Sequence, residues 1–216
     1  IPGPIPPVEP TLLTCGPHGQ QGLHLDYFDN PDLAGLPVHT EVMGEARMLW
    51  LGPPSSAIEP GAFSARATAT FRPDRTGTWE FGLTSTGQSR LFLGADLLVD
   101  GSDPVPGDSF FGLGSQEVTA EAELFAGQPY EMTAEFRAGA GLPMAAIAIG
   151  ARARLPEDSL RRATHAAADA DVVVVVVGTD SRWETEGADR RDLELPGAQA
   201  ELIRLVRSPS QQRAAP

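Results

Sequence analysis

The 216-residue sequence contains no lysine, and its 16 basic residues, all arginine, face 29 acidic residues, giving a formal net charge of −13. Without lysine, Schiff-base chemistry and a catalytic lysine are excluded. The excess of negative charge argues against nucleic acid and an anionic membrane surface as partners. The sequence shows no signal peptide and no apolar run long enough to cross a bilayer. Because it begins at Ile1 without methionine, an N-terminal address and the cellular location stay open.

Cysteine and histidine are scarce as well. Cys15 is the only cysteine, which excludes an internal disulfide, and we interpret it as an ordinary loop thiol. The four histidines are dispersed without metal-ligand spacing, so we expect no protein-bound catalytic metal. No glycine-rich phosphate loop follows a strand, and the sequence therefore predicts no cofactor.

Short alternating runs dominate the sequence from Gln21 to about Gly150. The runs at 64–71 and 77–84 alternate in character, and a hairpin is indicated around Gly94-Ala95. Strands at this spacing, punctuated by glycine and proline, predict an antiparallel β-sandwich over 21–150. The preceding residues, 1–20, are rich in proline, which disfavours a helix or an interior strand, so we interpret them as a linker.

The pattern changes after residue 150 to that of a partial α/β segment over 151–207. An alanine-rich helix is predicted over 156–170, and a second helix is predicted to start at Leu195-Pro196. Between them, the six valines 172–177 are typical of a parallel strand buried on both faces. The remaining residues, 208–216, are expected to form a disordered or altered tail.

A polar loop follows the valine run and ends at the second predicted helix. Ligands bind at the carboxyl ends of strands in open α/β sheets. Trp183 lies within this charged run, and Gly187 after Glu186 permits close approach of the backbone to a ligand. A carboxyl group beside an aromatic ring would have a raised pKa, as a general acid requires. Alternatively, any carboxylate of this loop is a solvated surface charge without a catalytic role. The loop has five of them: Asp180, Glu184, Glu186, Asp189 and Asp192.

The segment 172–203 resembles the C-terminal α/β-sandwich domain of glycoside hydrolase family 3, the β-glucosidase family. The resemblance is carried by the valine run, Gly178, the segment 183–190 (WETEGADR), the segment 193–196 (LELP) and Gln199. It implies that Glu186 is the general acid/base and that Asp189 and Arg190 support the site. The family's nucleophile is an aspartate in a preceding (β/α)8 barrel, to which nothing in these 216 residues corresponds.

Residues 21–150 resemble the anthrax protective antigen (PA) type module, a β-sandwich associated with carbohydrate recognition. The resemblance is carried by 22–35, by 73–81 with the hairpin at 91–96, and by 125–130. Such a module is inserted before the strand and loop of some family 3 enzymes, which fits the order seen here. Adhesin relatives bind sugar through calcium on adjacent aspartates. No such pair exists here, and we interpret Asp100 and Asp103 as turn residues.

The inserted modules of these enzymes resemble a lid over the active site, and the best lid candidate is the loop 104–114. It carries two adjacent aromatic residues, Phe110 and Phe111; adjacent residues on an extended chain point opposite ways, so one can be core and the other exposed. Together with Trp183, they are the candidate substrate-binding residues. The alternative is that both phenylalanines pack locally.

Together, the two resemblances imply a fragment of a retaining β-glucosidase that acts on small glycosides or oligosaccharides. The remainder of the parent enzyme would be its partner, and a homo-oligomer is left open. We expect the isolated chain to be inactive, because the nucleophile lies elsewhere. The competing hypotheses are a non-catalytic carbohydrate-binding sandwich and a structural remnant with neither activity.

Overall fold

Residues Ile5–Arg154 form a two-layer β-sandwich, the larger of the two compact units of the chain. The computed structural model describes residues 4–58, 63–139, 141–179 and 193–213. The strands within these residues are β1 Leu13–Cys15, β2 Gln20–Gln21, β3 Leu23–Phe28, β4 His39–Met43, β5 Arg47–Trp50, β6 Ser64–Phe71, β7 Gly77–Ser85, β8 Gln88–Leu93, β9 Asp96–Gly101, β10 Val118–Leu124, β11 Tyr130–Arg137 and β12 Ala145–Ala153.

Both sheets are antiparallel. The larger sheet has the order β2-β1-β6-β11-β8-β9, and β3 pairs with both β4 and β6. The smaller sheet has the order β10-β7-β12-β5. The hairpin predicted around Gly94-Ala95 joins β8 to β9. The prediction of an antiparallel β-sandwich is thus confirmed.

The core forms where the inward-facing residues of the two sheets meet. In the larger sheet, β6 contributes a row of small residues that ends at Phe71, with Ala65, Ala67 and Ala69 buried along it. From the smaller sheet, Trp79 packs edge-on against Phe71, with ring centroids 5.2 Å apart. Small residues in one sheet leave room for large aromatic rings from the other, and this complementary packing fills the layer between them.

The interpretation of 1–20 as a linker is wrong for the residues that the structure describes. Ile5 and Val8 are buried, and the run continues through the 3-10 helix Pro10–Leu12 into β1, which pairs with β6. Prolines fit here because this segment lies along the edge of β12, where the Pro6 carbonyl accepts a hydrogen bond from Ala151 and needs no donor in return. Cys15 is accordingly a buried strand residue and not a loop thiol.

A short helical turn in the sandwich, Ser109–Gly112, is α1. The second unit contains two helices that pack against each other, α2 (Ser159–Ala168) and α3 (Gln199–Arg213). The prediction of a helix within 156–170 is confirmed. Helix α3 begins after Pro196, and the predicted tail 208–216 starts inside this helix. Neither helix has the combination of length and apolar character needed to cross a bilayer.

The prediction of a buried parallel strand at 172–177 is wrong for this chain. The structure assigns no strand there, and Val172, Val174 and Val176 are largely exposed. A strand needs a neighbour to satisfy its backbone groups, and within the described residues of this unit no strand lies available to pair with it.

Candidate functional site

The loop 104–116, which connects β9 to β10, folds back on itself as a built structure. The Gly107 amide donates to the Gly114 carbonyl at 2.9 Å, and the Gln116 amide donates to the Val105 carbonyl at 2.8 Å. A further backbone hydrogen bond joins the loop to the end of β7. These bonds fix both ends of the short helical turn α1 (Ser109–Gly112) at the tip of the loop.

Two glycines allow the arms of this loop to approach closely. A Cβ atom at Gly107 would lie 2.5 Å from the backbone nitrogen of Gln116. A Cβ atom at Gly114 would lie 2.2 Å from Ser109 Oγ and 2.8 Å from the ring of Phe110. Only glycine fits at such distances, so the loop depends on its glycine content for tight packing and not for freedom of movement.

The tip of the loop is a left-handed turn. Phe110, Phe111 and Gly112 have φ values of 50°, 62° and 80°. For a residue with a side chain, this conformation costs roughly 1–2 kcal/mol. Two successive phenylalanines held there indicate that the surrounding contacts impose the conformation, and such backbone outliers cluster at functional sites.

Phe110 anchors the turn to the outer face of the smaller sheet. Its ring is buried in a small cluster with Met144 and Ala146, next to the partly buried Ala148. The Arg47 guanidinium lies over the same ring, 5.4 Å from its centroid. Nothing in the sequence around position 47 indicates this cation–π contact, so sequence reasoning missed Arg47.

Phe111, in contrast, is 86% exposed at the tip of the loop. One phenylalanine is thus buried and the other exposed, as the sequence allowed, but both lie in a left-handed turn and not on the extended chain from which this was argued. The result is a large aromatic ring presented to solvent on a firmly bonded loop. Such a ring offers a flat apolar surface for binding and contributes no acid or base to chemistry.

The remaining predicted site residues, Trp183, Glu186, Asp189 and Arg190, lie outside the described residues, and their roles stay predictions. The structure does describe the flanks of that segment. The side-chain amide of Gln199 donates to the Gly178 carbonyl at 2.9 Å and accepts from the Gly178 amide at 2.8 Å. This pair of hydrogen bonds ties the end of the valine run to the start of α3.

Asp100 has the turn role that the sequence indicated. Its Oδ1 accepts hydrogen bonds from the Ser102 amide at 3.0 Å and from Ser102 Oγ at 2.5 Å. These hydrogen bonds hold the pKa of Asp100 below its usual range. Throughout the described part of the chain, no group of three or more histidine, cysteine, aspartate or glutamate residues is placed to hold a metal ion.

Comparison with known families identifies the sandwich. A family model described as the PA14 domain matches residues 19–141, more than half of the chain. The chain belongs to the PA14 domain family. The matched range includes β2 through β11, so the loop with the exposed Phe111 is part of the PA14 domain.

Curated relatives of this PA14 protein are β-glucosidases. A β-glucosidase of Rhizobium radiobacter is 35% identical over 187 residues, which cover 84% of this chain and 23% of the relative. A probable β-glucosidase H of Neosartorya fischeri is 35% identical over 161 residues, which cover 69% of this chain and 19% of the relative. The PA14 protein thus spans about a fifth of the length of these relatives.

Solved structures with the same fold include the β-glucosidase of Kluyveromyces marxianus. It superimposes with a TM-score of 0.83 at 24% identity, over 95% of this chain and 26% of that one. The complex of that enzyme with glucose gives a TM-score of 0.81 over the same shares. These likenesses establish that the PA14 sandwich shares its fold with part of a β-glucosidase.

Proposed function

We propose that this PA14 protein is part of a retaining β-glucosidase of glycoside hydrolase family 3, acting on terminal β-D-glucosides or related small glycosides. The observation that carries the proposal is the 35% identity to a β-glucosidase over 84% of the chain. That similarity extends over 187 residues, well beyond the matched PA14 range, and so includes sequence outside the sandwich. The rest of the parent enzyme would supply the barrel and the nucleophile.

Glu186 is the proposed general acid/base. Retaining glycosidases use two carboxyl groups about 5 Å apart, one as nucleophile and one that first protonates the leaving oxygen and then deprotonates water. Glu186 would take the second role, with Asp189 and Arg190 shaping the site around it. Trp183 would supply an apolar surface against which one face of the sugar rests.

The test is azide rescue in the longer protein that contains this sequence. Glu186→Gln should abolish turnover of glucosides with poor leaving groups, because their departure requires protonation. On a nitrophenyl glucoside, which needs no such help, azide should restore turnover of this variant and yield the glycosyl azide.

The matched control is Glu184→Gln, which makes the same change in charge two positions earlier and should keep the wild-type azide response. Activity of Glu186→Gln within a few-fold of wild type on all substrates would contradict the assignment. The non-catalytic carbohydrate-binding sandwich would then become the preferred function.

Phe111 is the proposed contact between the PA14 sandwich and the substrate. Its exposure at the tip of a hydrogen-bonded, left-handed turn supports this role, while the burial of Phe110 supports an anchoring role for that residue. Phe111→Ala in the longer protein should raise KM for glucosides with an aromatic or sugar aglycone, with kcat little changed. Phe125→Ala, at another exposed phenylalanine, is the control. Equal effects of both variants would contradict the proposed contact.

A further inference from the structure

A pocket lies on the outer face of the larger sheet, whereas the loop that carries Phe111 packs on the outer face of the smaller one. The pocket has a volume of about 170 Å3. All the residues that line it have polar side chains: Gln88, Ser89, Arg90, Ser102, Glu135 and Arg137. This volume is below the range of about 300–1,000 Å3 typical of drug-sized ligands and suits one sugar ring.

The strand register explains why these residues meet. In the pairing of β8 with β11, Arg137 lies opposite Gln88 and Glu135 lies opposite Arg90. Residues two apart on a strand share a face, and directly opposite residues have Cβ atoms about 4.5–5.5 Å apart. Four long polar side chains therefore project from one small area of the sheet. The Gln88 amide is fixed by its hydrogen bond to the Ser102 carbonyl, at 2.9 Å.

Charge in this area is unevenly balanced. Glu135 accepts from Arg90 at 2.9 Å and from Arg66 at 3.2 Å, so one carboxylate is shared by two guanidinium groups. Each of these arginines also lies opposite an aspartate: Asp100 opposite Arg90 in the pairing of β8 with β9, and Asp26 opposite Arg66 in the pairing of β3 with β6. Arg137 makes no ion pair or side-chain hydrogen bond with any residue that the structure describes.

Among the residues that line the pocket, two arginines stand against one carboxylate, an excess of one positive charge on a chain whose formal net charge is −13. The excess is carried by a planar fork of donors at Arg137. Such a fork matches a carboxylate, which it binds through two parallel hydrogen bonds. The neighbouring carboxylate of Glu135 and the amide of Gln88 are groups that hydrogen-bond to hydroxyls.

We propose that this pocket binds a single acidic sugar residue, a hexuronic acid, whose carboxylate pairs with Arg137. The ring hydroxyls would bond to Glu135 and Gln88. The site is separate from the proposed glycosidase site and does not depend on it. It would bind the acidic sugar whether or not the chain belongs to an active enzyme.

The test is titration of the full 216-residue chain with glucuronate, glucose, acetate and sulfate, followed by isothermal calorimetry and by backbone amide shifts. We expect glucuronate to bind at least about tenfold more tightly than glucose or acetate, because each of those lacks one half of the contacts. The shifts should centre on Gln88, Arg90, Ser102 and Arg137. Equal binding of glucose, or of acetate and sulfate, would overturn the proposal.

Two variants of Arg137 distinguish the contribution of its planar guanidinium from that of its positive charge. Arg137→Gln and Arg137→Lys should each weaken glucuronate binding about tenfold, the lysine variant because a point charge cannot form the two parallel bonds. Arg162→Gln makes the same change in charge on the exposed surface of α2 and should leave binding unchanged. Both Arg137 variants should keep the wild-type Tm, since that side chain has no partner to lose. Unchanged affinity in either one would overturn the proposal.

Discussion

At position 111, glycine should give a more stable protein than alanine, the reverse of the usual order. Phe111 has a φ of 62°, which alanine would have to adopt and glycine adopts freely. Either substitution removes the same ring, and that ring is 86% exposed, so its loss nearly cancels in the comparison. What remains is the backbone.

The magnitude follows from two opposing terms. A left-handed conformation costs a residue with a side chain about 1–2 kcal/mol. Glycine loses more backbone entropy on folding, which costs about 0.5–1 kcal/mol relative to alanine. Phe111→Gly should therefore exceed Phe111→Ala in free energy of unfolding by about 0.75 kcal/mol, the middle of a range of about 0–1.5 kcal/mol. For a domain of this size, 1 kcal/mol shifts the Tm by about 2–4 °C.

The assay is urea unfolding of both variants of the 216-residue chain, with the same pair at Phe125 as the control. Phe125 is also exposed, but its backbone does not lie in the left-handed region, so alanine should be the more stable substitution there. If alanine is more stable than glycine at both positions, the left-handed turn does not impose the strain argued here. Backbone strain at Phe111 would then no longer support a functional role for its ring.

Two further predictions concern the core. The Tyr27 hydroxyl donates to Glu41 at 2.5 Å and accepts from the Trp50 indole at 3.2 Å, so Tyr27→Phe leaves that buried N–H unpaired. Urea unfolding should show that the free energy of unfolding falls by about 2–3 kcal/mol. A fall of less than about 0.5 kcal/mol would contradict this. Burial raises the pKa of the Cys15 thiol, which lowers the thiolate fraction, so a disulfide reagent should react far more slowly with the native chain than in urea. Equal rates would refute this.

The strands that the sequence predicted share a regular alternation that burial produces. Along β6 and β7, side chains of one parity face the core, and Trp79 and Phe81 lie on the same face as expected. Strand β5 was missed because it has four residues and one of its large apolar side chains, Leu49, faces solvent. Alternation of hydrophobicity fails as a signal in so short an edge strand.

Proline misled the interpretation of the N-terminal segment for a physical reason. Proline lacks an amide donor, but the hydrogen bonds to β12 need none from it: the Pro6 carbonyl accepts from the Ala151 amide, and the Val8 amide donates to the Ile149 carbonyl. For the valine run the error was the reverse, because a strand was predicted where the structure has none. Val172–Val177 has the composition of a buried strand, but composition cannot supply the neighbouring strands that would bury it.

At the candidate site, the sequence indicated the loop and allowed one of its two phenylalanines to be buried and the other exposed. It did not identify the left-handed turn, because positive φ at two successive aromatic residues runs against local preference. That turn follows from long-range contacts, among them the burial of the Phe110 ring beside Met144 and under Arg47. Contacts between residues so distant in sequence leave no local pattern.

The central claim is that this chain carries the acid/base of a β-glucosidase and not its nucleophile. Labelling the longer protein with a 2-deoxy-2-fluoro glucoside, which slows hydrolysis of the covalent glycosyl-enzyme, and mapping the labelled peptide by mass spectrometry tests this directly. We predict that the label is on a carboxylate outside these 216 residues and that the isolated chain is neither labelled nor active. A label on any carboxylate within the sequence, or turnover by the isolated chain, would contradict the claim.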